Sequence, residues 1–363
     1  MKSSYKILQI VDSLEIGGSE RMSVNIYNSL TSNNIENCLV VTRKSGPLFS
    51  FISENKNVFF LNKKGVYDCH AFFNLIKKIK KYNPSVIHSH QTSIYWSFII
   101  KLMFPKITLI WHDHWGNSDL LKNSDRKIVK YFSFLIDGVI CVNEKIKKWN
   151  IRNLKLNMEF ITYIPNFPLF KNIERKKTNI PTIVCVANIR SQKDHPNLLK
   201  ACSILKEQEV NYKILLVGSL EDLYWVKKIK NLINEYNLNK NVVLLGPVTD
   251  ICEVLSIADV GVLSSVSEGL PVSLLEYGLA GLPVVCTDVG QCREVLGYGK
   301  FGWLIPSRSP LELAEALKES LNDSRQAELK SLGLKKHIEE NYSSNKFFKS
   351  YFEFVNIIKK ENV

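Results

Sequence analysis

The chain has 363 residues, of which 45% are hydrophobic and 23% charged, and a formal net charge of +13. That is a globular composition with apolar material for two domain cores. It excludes a spanning protein, since no apolar run reaches the ~18 residues a membrane helix needs. Met1-Lys2-Ser3-Ser4-Tyr5-Lys6 runs straight into apolar sequence and is not expected to be a signal peptide. The eight cysteines include no C-x-x-C pair. Most lie inside apolar strands, as Cys141, Cys185 and Cys286 do, which fits free thiols in a reducing cytoplasm.

The charge is uneven. Residues 1–170 hold 23 Lys/Arg against 12 Asp/Glu, and residues 171–363 hold 25 against 23. A field of +11 on one half favours anionic partners: a membrane surface, nucleic acid or a phosphorylated substrate. A lysine-rich composition with solvated helix faces accounts for it equally well. Nucleic acid is disfavoured, because aromatic and basic residues are not interleaved.

In chain order, residues 5–11 read as a strand. A loop, Asp12-Ser13-Leu14-Glu15-Ile16-Gly17-Gly18-Ser19-Glu20-Arg21, leads into a helix over 19–30. A glycine turn between strand and helix start suits phosphate or a close backbone approach, although it is not G-x-G-x-x-G. Strands follow at 38–42 and 58–61. A helix over 70–82 is expected to turn Phe72, Phe73, Leu75, Ile76 and Ile79 inward, and Pro84 ends it. Val86-Ile87-His88-Ser89-His90 is the next strand, 94–103 a helix, and 107–111 a strand ending in His112-Asp113-His114-Trp115-Gly116. The H-x-H spacing sets His88 with His90, and His112 with His114, on one strand face. Four imidazoles could hold zinc or iron, but no carboxylate or cysteine completes a set. Residues 128–136 read as a helix, 138–142 as a strand, and Asn143 opens another helix. The polar stretch 172–179 before Pro181 is the linker candidate.

The second series starts with a strand at 182–187 and the loop Asn188-Ile189-Arg190-Ser191-Gln192-Lys193-Asp194-His195-Pro196. Helices are expected at 196–205, 225–236, 250–257 and 311–322, and strands at 212–217, 242–245, 260–263 and 284–286. Between the last two strands lies Ser264-Ser265-Val266-Ser267-Glu268-Gly269-Leu270-Pro271, with Pro271 expected at the first helical position. Glu268 and Glu276 thus flank a helix start whose free N–H groups favour phosphate. They can accept hydrogen bonds from sugar and ribose hydroxyls, or serve as a helix cap and a solvated carboxylate. Residues 344–360 form an aromatic-rich final helix. Strands alternating with helices argue for right-handed βαβ units and parallel sheets.

Glu268-Gly269-Leu270-Pro271 followed by Glu276 resembles the E-x7-E motif of the GT4-type retaining glycosyltransferases of GT-B fold. Gly17-Gly18-Ser19-Glu20-Arg21 resembles the family's G-G-[AS]-E-R loop, and Asn188 to Asp194 its G-R-x-x-x-K-G segment, with Asn188 and Asp194 where glycines are usual and Arg190 one residue nearer Lys193 than the motif has it. Phe160 to Asn166 resembles its I-P-N-G motif, with Phe167 in place of glycine. Thr287-Asp288-Val289-Gly290-Gln291 with Glu294 resembles its T-x-x-G-x-x-E segment, with the glutamate one residue later.

The resemblance implies an α/β chain of two Rossmann-like domains, 1–170 for the acceptor and 180–343 for a nucleotide-sugar, facing across a cleft, with 344–363 packing back on the first. It implies a retaining hexosyltransferase moving sugar from a nucleotide-diphosphate sugar, the UDP form expected first, to a glycan or lipid-linked acceptor in surface polysaccharide synthesis. His112, Arg190, Lys193 and Glu268 would be catalytic. Gly17, Gly18, Arg190, Lys193, Glu268, Gly269, Leu270, Pro271 and Glu276 would bind donor, with Ser19, Glu20 and His114 on the acceptor side. No metal and no further cofactor are expected, and the location would be cytoplasmic, with an anionic membrane face as a partner. A nucleotide-sugar epimerase of like architecture, or a non-catalytic nucleotide- or nucleic-acid-binding protein, are the alternatives.

Overall fold

A computed structural model describes residues 5–361 apart from 66, 116–125, 172 and 249. Gly116, Asn172 and the first four residues named above therefore lie outside the described residues. The chain forms two compact units. The first runs to Phe167 and resumes at Ser344; the second runs from Pro168 to Ser343.

The first unit is a seven-stranded parallel sheet. Its strands are β1 (Ile7–Val11), β2 (Asn37–Val41), β3 (Val58–Phe60), β4 (Val86–His90), β5 (Thr108–Asp113), β6 (Gly138–Cys141) and β7 (Ile161–Tyr163), in the order β3-β2-β1-β4-β5-β6-β7. The central strands are buried on both faces because helices cover them, and β1, β4 and β5 carry buried polar residues, Gln9, His88, Ser89, His90, His112 and Asp113, among their apolar ones. One face packs against α2 (Cys69–Tyr82), α3 (Ile94–Met103), α4 (Lys127–Phe132) and α5 (Glu144–Asn153). The other packs against α1 (Gly18–Ser32) and the C-terminal helix, Ser344–Glu361.

That last helix buries Phe347, Phe348, Tyr351 and Phe354, and Phe167 packs fully buried against Phe347 at a ring distance of 5.0 Å. Asn25 Nδ2 donates to the Phe167 carbonyl at 2.9 Å. Phenylalanine thus stands where the resembling motif has glycine because its ring fills the space under the final helix. Two expectations are corrected here. Phe73 is 63% exposed rather than inward. The helix expected over 128–136 is α4 followed by a separate 3-10 turn, Ser133–Leu135.

The second unit is a six-stranded parallel sheet of β8 (Thr182–Val186), β9 (Lys213–Val217), β10 (Val242–Gly246), β11 (Val260–Leu263), β12 (Val284–Thr287) and β13 (Trp303–Ile305), in the order β10-β9-β8-β11-β12-β13. Its helices are α6 (His195–Glu207), α7 (Leu223–Glu235), α8 (Ile251–Ser256), α9 (Val272–Leu279), α10 (Cys292–Val295), α11 (Pro310–Asn322) and α12 (Ser324–Asn341). Arg175, within the expected linker, belongs to this unit and donates to the Ala258 carbonyl at 2.7 Å. Each sheet reverses its strand order at one place, between β1 and β4 and between β8 and β11. Crevices form beyond the carboxyl ends of strands at such points, and ligands of open parallel sheets bind there.

Candidate functional site

In the second unit, the loops leaving β8 and β11 meet at the switch point. Val266 N–H donates to the Gln192 carbonyl at 2.9 Å, and Ser264 Oγ donates to the Lys193 carbonyl at 2.9 Å. These bonds hold loop 188–194 against loop 264–271. Asp194 sits in the left-handed region at φ +46, which explains why a glycine is usual there; aspartate tolerates that conformation better than most residues. The result is that Lys193 Nζ lies 2.5 Å from Glu268 Oε1, and Ser265 Oγ donates to the same oxygen at 2.6 Å. Glu268 is 5% exposed, so its charge requires these partners.

A third loop buttresses the second. Thr287 Oγ1 donates to the Ser265 carbonyl at 2.7 Å, and Gln291 N–H donates to the Gly269 carbonyl at 3.0 Å. Gly290, at φ +54, brings its backbone so near the Glu268 and Gly269 carbonyls that a Cβ would collide with them. Glu276 is buried inside α9, one and a half turns from its start. Pro271 corrects the expectation of a first helical residue: it is the residue before the helix, with extended backbone at ψ 119. Arg190 is exposed, and its guanidinium makes no ion pair among the described residues.

In the first unit the histidines converge. Neighbouring strands pair His90 with His112, and the rings bond one step diagonally. His88 Nε2 lies 3.0 Å from His112 Nδ1, and His90 Nδ1 lies 3.2 Å from His114 Nε2. Each chain has an anchor: Tyr351 Oη is 3.3 Å from His88 Nδ1, and Gln9 Oε1 is 3.1 Å from His90 Nε2. Among the described residues, His112 Nε2 and His114 Nδ1 are buried without a partner. Burial holds all four rings neutral: it pushes His88 and His114 down to about 3, and holds His90 and His112 well below the ordinary imidazole value, with the neighbouring imidazoles adding to it.

His88, His90 and His112 each offer a nitrogen within 4.8 Å of the others, so neutral donors for a metal are present. Five of their six nitrogens are, however, already matched in hydrogen-bonded pairs, and His112 Nε2 is the exception among the described residues. The nearest carboxylate along the strand, Asp113, alternates to the opposite face, where Arg126 grips it at 2.5 and 2.8 Å and Asn150 donates to it at 3.0 Å.

At the glycine loop, Gly17 is the extended residue capping α1, and a Cβ on it would strike the Glu20 carboxylate. Ser19 Oγ donates to Glu20 Oε2 at 2.7 Å. Nothing stands within 4 Å of a Cβ at Gly18.

The structure thus gathers Lys193, Glu268, Gly269, Leu270, Pro271 and Glu276 in the second unit, and separately His112 with His114, and Gly17 to Glu20, in the first. Three contributors had no role assigned from sequence: Ser265, Thr287 and Gly290. The available signal was the segment Thr287-Asp288-Val289-Gly290, which holds two of them; Ser265 carries none.

Comparison with known proteins matches the model described as "Glycosyl transferases group 1" over residues 166–336 and the model "Glycosyltransferase Family 4" over residues 16–167. The O-antigen biosynthesis glycosyltransferase WbnH of Escherichia coli is 26% identical over 350 residues, 92% of this chain and 96% of the relative. An Escherichia coli UDP-Gal:alpha-D-GlcNAc-diphosphoundecaprenol alpha-1,3-galactosyltransferase is 24% identical over 320 residues, 80% of this chain and 81% of the relative. Among solved structures, Anabaena Alr3699/HepE in complex with UDP and glucose is alike in fold, with a TM-score of 0.82, 16% identity, and coverage of 97% of this chain and 99% of that one.

Proposed function

From a chain that belongs to the GT4-type glycosyltransferases of GT-B fold, we infer a retaining transferase that moves a hexose from a nucleoside-diphosphate sugar, UDP- first among the candidates, to a saccharide or lipid-linked acceptor in surface polysaccharide synthesis. The observation that carries this reading is the pairing of Lys193 with Glu268 at the switch point of the second sheet, beside the start of α9. A cation and a helix start offer charge to a diphosphate. A carboxylate beside them can accept a sugar hydroxyl's proton, and buried Glu276 suits the ribose hydroxyls.

In this reading the bond from the anomeric carbon to the diphosphate breaks and the bond to the acceptor oxygen forms. The acceptor's proton leaves with the departing diphosphate or to water. Charge grows on the diphosphate as the bond breaks, and Lys193, Arg190 and the α9 N–H groups oppose it, so no metal is called for. Glu268 Oε1 already takes bonds from Lys193 and Ser265, which suits holding a sugar hydroxyl better than attacking carbon. Gly17 and Gly18 give the backbone room beside donor and acceptor, and Ser19, Glu20, His112 and His114 are the candidate groups of the first unit. A cytoplasmic enzyme held at a membrane face is the matching location, argued below. The test is a thermal-shift screen of UDP-, GDP- and ADP-sugars, since bound donor raises apparent stability by mass action. The anomer formed is then read by NMR. No stabilisation by any nucleotide-sugar, or an inverted product, overturns the reading.

A further inference from the structure

The Tyr351–His88–His112 chain has a direction that its protons decide. Burial raises the Tyr351 hydroxyl far above its ordinary value, so it stays protonated and must donate somewhere. Its partner is His88 Nδ1, at 3.3 Å. If Tyr351 accepted from His88 instead, its own proton would be stranded, and His112 Nε2 would be stranded as well. With Tyr351 donating, one polar atom remains unmatched rather than two, and buried unmatched groups are what folded chains avoid. A neutral His88 that accepts at Nδ1 carries its proton on Nε2, and that proton points to His112 Nδ1 at 3.0 Å. A neutral His112 that accepts at Nδ1 carries its own proton on Nε2.

We infer that Tyr351 and His88 are positioning residues: their hydrogen-bond chain fixes His112 in its Nε2–H tautomer, leaving Nε2 as a buried donor for a ligand oxygen. The second chain ends in the opposite sense. With Gln9 Oε1 turned to His90, His90 carries its proton on Nε2, takes one from His114 at Nδ1, and leaves His114 Nδ1 as an acceptor, while Gln9 Nε2 goes unmatched among the described residues. The rings of His112 and His114 are 3.8 Å apart between centroids, so a donor and an acceptor stand side by side. Tyr351 belongs to the last helix of the chain, 239 residues beyond His112, so that helix sets the polarity of a strand-end histidine as well as covering the sheet. What Nε2 donates to rests on the transferase reading; the tautomer does not.

The experiment uses the full chain labelled with 15N-histidine. In wild type, His112 should show a protonated Nε2 and an unprotonated Nδ1. Tyr351→Phe removes only the hydroxyl and should let His88 and His112 populate the other tautomer, with circular dichroism unchanged. In turnover, Tyr351→Phe and His88→Leu should lower kcat about tenfold with little change in donor KM. His88→Gln, whose amide can still donate to Nδ1, should recover most of that loss. A wild-type His112 protonated on Nδ1, or a spectrum that Tyr351→Phe leaves unmoved, overturns the inference. So does a stoichiometric metal on the purified protein that is lost with His88 or His90. If the tautomers behave as stated while the variants turn over at the wild-type rate, the positioning stands and the role of His112 in transfer fails.

Discussion

Lys193 Nζ and Glu268 Oε1 are 2.5 Å apart, both largely removed from water, on loops that belong to different strands of the second sheet. Neither loop would hold its side chain alone. Ser264 ties its hydroxyl to the Lys193 backbone, and Ser265 ties its own to the Glu268 carboxylate. The pair is therefore a structural clamp between two loops as well as the charged centre of the site. Replacing Lys193 by Met leaves a buried carboxylate with one hydroxyl partner. Stability should fall by about 3 kcal/mol, the range for breaking a buried pair. Glu268→Gln in the same chain should restore part of it, because no charge is then stranded. Urea midpoints of the two single variants and the double variant measure this; additive losses would show that the pair does not couple.

Glu276 tests the nucleotide half of the reading. Glu276→Ala should weaken binding of the free nucleoside diphosphate by roughly 1.5–3 kcal/mol, the value of a hydrogen bond to a charged group. Calorimetric titration reads it directly, and an unchanged affinity removes the ribose role.

Arg190 separates chemistry from folding. It is exposed and bound to no carboxylate among the described residues, so Arg190→Ala should leave the melting temperature within a degree or two. It should nonetheless lower kcat/KM for transfer by a factor of ten or more, if the side chain meets a developing diphosphate charge. The same assay in excess chelator should run at full rate. Wild-type turnover by Arg190→Ala puts the clamp elsewhere, and loss of turnover in chelator would bring the histidines back as metal ligands.

The histidine cluster gives stability a pH dependence of known sign. Among the described residues, the titratable groups that the four rings touch are one another and Tyr351. Their folded values lie below the ordinary 6.5, about 3 for His88 and His114. The unfolded chain therefore binds more protons, and stability rises with pH across this window. It is fully present above about 6.5 and is lost as the pH falls from there toward 3, by about 1.4 kcal/mol per pH unit for each histidine fully protonated in the unfolded chain. Denaturant midpoints at pH 8.5, 7.5 and 5.5 should be level between the first two and drop at the third. A level profile to pH 5 would mean the rings are solvated.

Much of the architecture was readable because most of the buried parallel strands are runs of apolar residues and helices between them keep a 3.6 period. Pro84, Gly281 and Pro283 stand where elements stop. What escaped depends on relations between elements. The helix α12 buries only Ala327, Ser331, Leu334 and Ile338 along 18 residues, too sparse a stripe to stand out. The H-x-H pairs declared a shared strand face. That His88 bonds His112 rather than His90 follows only from the register of β4 against β5. Ser265 became part of the site through a loop conformation that Gly290 and Thr287 impose from another strand. Phe73 read as core because its neighbours Phe72 and Ile76 are, although its own direction on α2 is outward.

The exposed side of that helical layer carries the last prediction. On α3, Tyr95, Ile99, Leu102 and Met103 lie outward at helical spacing, 40–63% exposed. Beside them on α4, Ile128 and Tyr131 are 56% and 70% exposed, and Phe98 packing on Phe132 joins the two helices. On the other flank Phe72 meets Trp96 edge-on, joining α2, whose Lys77, Lys80 and Lys81 face outward. An apolar stripe beside a row of lysines matches an anionic lipid surface in both hydrophobicity and charge. Among the described residues no helix is long and apolar enough to cross a membrane, so attachment through this face would be peripheral. Each lysine near anionic lipid contributes about 1 kcal/mol, and salt screens it. Vesicles containing anionic lipid should therefore bind the protein at low salt and release most of it at high salt. Replacing Lys77, Lys78, Lys80 and Lys81 by Glu should abolish the salt-sensitive part. Ile99→Ser with Leu102→Ser should weaken binding while its salt dependence persists, because that change removes the apolar contribution alone. Nucleotide affinity, which the transferase reading assigns to the other unit, should stay constant throughout. Equal partitioning onto neutral and anionic vesicles, or none onto either, would leave the +11 of the first half as an ordinary solvated surface.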